Sequence, residues 1–187
     1  MTSTRRLLFS MALVFAVVGG ALPAFAQKLP PAVIGIIDNQ RIFRDAASFK
    51  SLRQQFEQYR LQYQGDAQKD EERLRGEDQE LVRQRAILAP DAFDQRRRDF
   101  ERRVGDVQRK VQERSRALET AVNTGRATIA GAVQQIINDI GNERGITVVI
   151  DKAQVQFASD QLDITAEVLK RLDQRMPTVK MPAPAVQ

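Results

Sequence analysis

The chain has 187 residues, of which 29 are Lys or Arg and 24 are Asp or Glu, and it contains no cysteine and no histidine. The first gap removes disulfides, thiol nucleophiles and thiolate metal sites; the second removes the commonest general base and the usual zinc ligand. Catalysis would fall to carboxylates, lysines, hydroxyls, Tyr59 and Tyr63, so the composition argues against an enzyme and points to no cofactor.

Arg5 and Arg6 precede an apolar run at 7–18, followed by Gly19, Gly20 and the small-residue site Ala24-Phe25-Ala26. A basic start, a short apolar core and a small-residue exit form a secretory signal peptide, residues 1–26, with cleavage after Ala26. The run is shorter than the roughly 20 apolar residues a spanning helix needs, so the exported chain is expected to be soluble. Without Arg5 and Arg6 it carries 27 basic against 24 acidic residues, a mild net charge of +3.

A linker at 27–32, with Pro30 and Pro31, leads to the run VIGII at 33–37, rich in β-branched residues, which reads as a buried strand. Asp38 is placed to cap a helix beginning directly after the strand. From about Gln40 to Leu88 there is no proline, and Phe49, Leu52, Phe56, Tyr59 and Tyr63 recur at alternating steps of three and four. Ala67, Leu74, Leu81 and Leu88 continue the seam, with an eleven-residue step from Tyr63 to Leu74 that marks a stutter. This stretch predicts one long helix of coiled-coil type.

Pro90 and Asp91 suit the first turn of a second helix. Its seam runs through Phe93, Phe100, Val104, Val107, Val111, Leu118, Val122, Ile129, Val133, Ile136 and Ile140 and stops in the stretch GNERG at 141–145. So short a turn folds the helices back antiparallel, and facing residues then have numbers with a constant sum. Leu88 with Phe93, Leu81 with Phe100, Leu74 with Val107, Tyr63 with Leu118, Tyr59 with Val122 and Leu52 with Ile129 all add to 181. Gly65, Gly76, Gly105 and Gly125 weaken the helices, each by about 1 kcal/mol relative to Ala, and suit arms that bend.

Beyond Gly145, residues 146–150 predict a second buried strand, and the alternation at 155–158 predicts a third. A short helix opens at Asp163-Ile164-Thr165 and ends before Pro177; the Pro-rich remainder, 177–187, has little to bury and is expected to be disordered. The body is therefore 33–38 with 145–176, and the hairpin arm is 39–144. Three strands and one helix make a core too small to carry such a rod alone, and their exposed edges call for other copies of the chain.

The strand Ile34-Gly35-Ile36-Ile37-Asp38 with Arg41-Ile42-Phe43, the long charged hairpin, Gly145 with 146–151, Phe157, and Asp163-Ile164-Thr165 opening the last helix resemble, in this order, the Skp/OmpH family of periplasmic chaperones. The resemblance covers the mature chain except the Pro-rich tail after Met176. It implies an α+β fold: a small β-barrel-like trimerisation body with a long antiparallel α-helical coiled-coil hairpin, the arm, on each protomer. It implies a homotrimer with three arms around a cavity, and the small strand core points to Ile34, Ile36, Val148, Val149 and Ile150 as the residues that join it. It also implies a periplasmic, ATP-independent holdase that binds unfolded outer-membrane β-barrel proteins and keeps them from aggregating.

Near the hairpin turn lie Arg83, Arg85, Arg96, Arg97, Arg98, Arg102 and Arg103, seven cations against Asp91, Asp94, Asp99 and Glu101, a surplus of three. Such runs usually form a solvated helix face; the functional reading is capture of acidic clients or of anionic lipid. No groove-reading motif accompanies them, which argues against nucleic acid. The aromatic residues of the two seams fit a core better than a client stripe, and Asp38 and Asp151, each closing a strand, fit caps better than a catalytic pair. The reading from another class is a structural spacer or adaptor, for which four glycines and a stutter are poorly suited.

Overall fold

The computed structural model describes residues 31–184. The expected signal peptide, linker residues 27–30 and residues 185–187 lie outside the described residues. The compact unit beginning at Ala32 has the order β1 (Ile34–Ile37), α1 (Asn39–Asp45), α2 (Ala47–Gln84), α3 (Pro90–Arg144), β2 (Val148–Asp151) and α4 (Thr165–Arg175), with short 3-10 turns at Lys152–Gln154 and Asp160–Leu162.

Asp38 caps α1 as its position suggests: its Oδ1 accepts from the Arg41 amide at 2.8 Å. The single helix expected from about Gln40 is instead broken at Ala46, whose ψ of 138° is extended. No proline or glycine causes this break, and two side chains stabilise it, one distant and one local. Asp173 of α4 accepts from the Ala47 amide at 2.8 Å and so caps α2 from outside, while Arg53 donates to the Phe43 and Arg44 carbonyls, both at 2.9 Å, at the end of α1. The kink buries both Ile42 and Ala46.

Helices α2 and α3 run antiparallel, joined by a turn that leads into Pro90 at the first helical position. Three ion pairs cross between them: Glu77 with Arg103 at 2.8 Å, Asp70 with Lys110 at 2.8 Å and Asp66 with Arg114 at 3.0 Å. Each pair of numbers adds to 180, one residue from the register given by the apolar seams. Val111, expected in the seam, is 46% exposed. Opposite it stands Asp70, which draws Lys110 inward instead, so the stutter is filled by charge. Gly145, at φ 66°, closes α3 in the left-handed conformation that glycine adopts without penalty.

Strands β1 and β2 pair in parallel, Ile34 with Val148, Gly35 with Val149, Ile36 with Ile150 and Ile37 with Asp151, so the whole hairpin is their crossover connection. On the other side of β1 a bridge joins Ile36 to Asp163, and the Ile164 amide donates to the Ile36 carbonyl at 2.9 Å. That bridge occupies the edge of β1 away from β2. The stretch 155–158 is not a strand, contrary to expectation: it is bracketed by the two 3-10 turns, which Asp151 and Ser159 cap, and Phe157 is 87% exposed.

The core sits where the base of the hairpin meets α1 and α4. Ile129, Ile136, Ile140, Val168 and Leu172 are fully buried there, with Ile37, Ile42 and Ile164 beside them. Arg171 clamps α4 to α3 through both oxygens of Glu143, at 2.8 and 2.6 Å, and Arg175 reaches Asp139 at 2.7 Å. The expectation of a disordered tail fails for its described part. Val179 and Met181 are buried in this same core, because their alternation with Lys180 gives the extended segment one apolar face.

Candidate functional site

Two surfaces are candidates, the strand edge of the body and the tip of the arm. The sheet pairing brings the expected assembly residues Ile34, Ile36, Val148, Val149 and Ile150 together. Their exposure divides them. Ile36 is buried in the chain's own core, Val149 and Ile150 are half-buried, and Ile34 and Val148 are exposed beside Val33. The edge of β2 away from β1 carries no strand among the described residues. Next to the strands opens a depression of about 890 Å³ lined in part by Ile42, Phe43, Val133, Ile137, Ile146 and Val149. An open strand edge flanked by exposed apolar side chains is a surface built for covering.

At the tip, most of the basic cluster is already paired. Arg83 meets Glu80 at 2.8 Å, Arg97 meets Glu101 at 3.0 Å and Asp94 at 3.7 Å, Arg102 pairs with Asp99, and Arg103 reaches Glu77 across the hairpin. Hydrogen bonds from Arg83 and Gln84 hold the Glu80 carboxyl below its usual range. Arg85, Arg96 and Arg98 make no ion pair among the described residues, and Arg98 bonds Gln95 at 2.8 Å. Glu77, Asp78 and Glu80 belong to the same stretch, so over residues 77–103 seven cations face seven carboxylates, not four, and the surplus falls from three to none. Val82 and Ile87, the latter 80% exposed, project from the same tip.

The strand-end acids are structural. Asp151 accepts from the Ala153 amide at 2.9 Å and from the Asn39 side chain at 2.7 Å, in that order the causes that hold its carboxyl below the ordinary range. Burial pushes the Asp163 carboxyl up, but the hydroxyl and amide of Thr165 together with Lys152 outweigh it and keep the group low. Asp163 accepts from the Thr165 amide, the first of α4, at 2.8 Å, and the Thr165 hydroxyl in turn accepts from the Asp38 amide at 2.9 Å, which ties the start of α4 to the start of α1. Asp38, whose Oδ1 caps α1, and Asp151 are thus both engaged as acceptors in caps and turns.

Sequence reasoning missed the charges that cross the hairpin, the cap supplied by Asp173, and Gln55, which holds the tail. The first had a visible signal, since Asp66, Asp70 and Glu77 all have cations at the numbers their register demands. Aromatic residues sit mainly where the seam required: Phe49 is buried and Phe56, Tyr59 and Tyr63 pack against the core, with the Arg114 guanidinium 4.9 Å from the Tyr63 ring centroid.

A body strand, a long helical hairpin, a parallel partner strand and a closing helix capped at Asp-Ile-Thr coincide with a family match: residues 33–172 match the profile of outer membrane protein (OmpH-like). The chain belongs to this OmpH-like family. A crystal structure of a candidate outer membrane chaperone (OmpH-like) from Caulobacter crescentus CB15 superposes with a TM-score of 0.76 at 20% identity, covering 88% of this chain and 98% of that one. At that identity the likeness concerns the fold. No curated protein matches the chain. The OmpH-like match ends before the tail that packs on α2, and it includes both candidate surfaces.

Proposed function

We propose that this OmpH-like chain is a periplasmic, ATP-independent holdase chaperone that assembles as a homotrimer and shields unfolded outer-membrane β-barrel proteins between its arms. The observation that carries the reading is the contrast between a body with an open apolar strand edge and a long two-helix arm of mixed charge. The first calls for copies of the same chain, the second for a large and variable cargo. Ile34, Val148, Val149 and Ile150 form the shared interface with Phe157, and Ile36 supports it from inside the protomer.

An unfolded β-barrel client exposes alternating apolar residues and unpaired strand edges, which self-associate before they reach a membrane. Separation between three arms needs no tight pocket, and loose contact at many points suits aliphatic stems and half-covered seam residues. With its charges balanced overall, the tip adds only weak, salt-sensitive contact with acidic clients or anionic lipid, through Arg85, Arg96 and Arg98.

Native mass measurement of the mature chain should give a trimer, and the trimer should keep a urea-diluted outer-membrane β-barrel protein soluble without nucleotide. Val148→Asp should dissociate it while each protomer stays folded, because Val148 is exposed in the single chain. A monomer that still protects, or a trimer that does not, would contradict the proposal, and the second result would leave a spacer.

A further inference from the structure

Past α4, residues 177–181 do something other than trail. The side chain of Gln55 on α2 donates to the Val179 carbonyl at 2.7 Å and accepts from the Met181 amide at 3.0 Å. One carboxamide thus makes, across Lys180, the two-bond pairing that a neighbouring strand's peptide group would make. Val179 and Met181, 6% and 2% exposed, face the core, and Lys180 faces solvent. Gln55 is itself steadied by its bonds to Ser51, 3.2 Å to the carbonyl and 3.1 Å to the hydroxyl. Recognition of this kind reads an extended backbone and two apolar side chains at alternate positions, and nothing else about the sequence.

We infer that the α2 face around Gln55 is a strand-reading site, that residues 177–181 are its resident occupant, and that an unfolded β-barrel client's extended segment exchanges with them. The client part rests on the holdase reading; the site itself does not. The alternation of apolar and polar residues that places Val179 and Met181 inward is the same pattern that marks every strand of a membrane barrel. Pro177, Pro182 and Pro184 stiffen the segment in extended form, which lowers the entropy lost on docking. The short tether from α4 gives the tail an effective concentration of order mM, so it keeps the apolar face covered until a client bound elsewhere on the arms presents its own strand at similar local concentration.

The lack of cysteine in the chain makes the test direct. A nitroxide on Lys180→Cys, in the full mature protein, reports the motion of the tail by electron paramagnetic resonance. The label should be restricted in the free protein and largely mobile in the same protein carrying Gln55→Leu. A free peptide of residues 177–184 at several times the effective mM concentration should mobilise it, and so should an unfolded outer-membrane β-barrel protein at equimolar trimer. A label that stays restricted with peptide overturns the site. A client held soluble over a restricted label overturns the exchange and leaves the chaperone reading standing. A client that is not held at all overturns both the exchange and that reading, whatever the peptide does.

Discussion

The base of the arm and its outer part share one seam but not one physics. At the base, Ile129, Ile136 and Ile140 are fully covered because α1 and α4 add a further layer over α2 and α3. Outward of Tyr63 there are only two helices, and Leu74, Leu81, Phe93, Phe100 and Val107 remain half-buried. Two helices cannot close a seam around its full circumference, so the outer arm is aligned by partly exposed cross-pairs such as Glu77 with Arg103, each worth at most about 1 kcal/mol. Order is concentrated in the base, and the outer arm is left deformable.

The sharpest way to break the comparison is truncation of one seam residue in each region. Ile136→Ala should cost about 3 kcal/mol in urea unfolding, within the range for fully buried large-to-small changes, and Leu81→Ala about 1 kcal/mol, in proportion to its partial burial. Equal losses would mean that the outer seam is covered as well as the base.

Next in size is the kink. Asp173→Ala removes the cap that α4 supplies to α2 and should lower stability by about 1 kcal/mol, with spin labels placed on α1 and α2 showing a broader distance distribution. An unchanged distribution would mean that Asp173 does not fix the angle at Ala46.

The glycines separate the regions by sign. At Gly76 and Gly105 an added methyl meets nothing within 4 Å, so Gly76→Ala and Gly105→Ala should each raise stability by up to about 1 kcal/mol. At Gly125 the methyl would lie 2.6 Å from Leu52 Cδ1, which is buried, so Gly125→Ala should lower the melting temperature instead.

The smallest effect is that of pH. Asp163, Asp151 and Asp70 are held below the ordinary Asp value of 3.8, the first two by their caps and turns and Asp70 chiefly by the hydrogen bond from Lys110. A carboxylate lowered in the folded chain adds stability at pH above its unfolded value and loses it as pH falls through the folded one. With no histidine to titrate, the melting temperature should be level from about pH 5 to 8 and decline only below about pH 4. A transition near neutrality would contradict this assignment of the titrating groups.

The hairpin was legible in the sequence because its register is written twice, in seams adding to 181 and in charges adding to 180. The two apolar strands were legible from their β-branched runs, and the end of α3 from Gly145. What escaped depends on contacts between distant segments. No residue type around Ala46 signals the kink, which Asp173 stabilises from α4 and Arg53 from the next turns of α2. The alternation at 155–158 describes a strand only where the chain folds it against an edge; 3-10 turns capped by Asp151 and Ser159 bracket it instead, and it pairs with neither β1 nor β2. The tail looked disordered because its prolines dominate its composition, yet Val179 and Met181 carry the two-residue period of a half-buried strand. At the tip, counting only the nearest carboxylates overstated a charge that Glu77, Asp78 and Glu80 cancel.

The division of labour between body and arm is tested most directly by shortening the arm. Joining Gln64 to Arg114 through a short Gly-rich linker keeps the base core, the Tyr63 contact and both strands while removing the deformable part. The shortened chain should keep the oligomeric state and nearly the melting temperature of the intact chain, and should lose the ability to hold an unfolded outer-membrane β-barrel protein in solution. Protection equal to that of the intact chain would place client holding in the body and contradict the account.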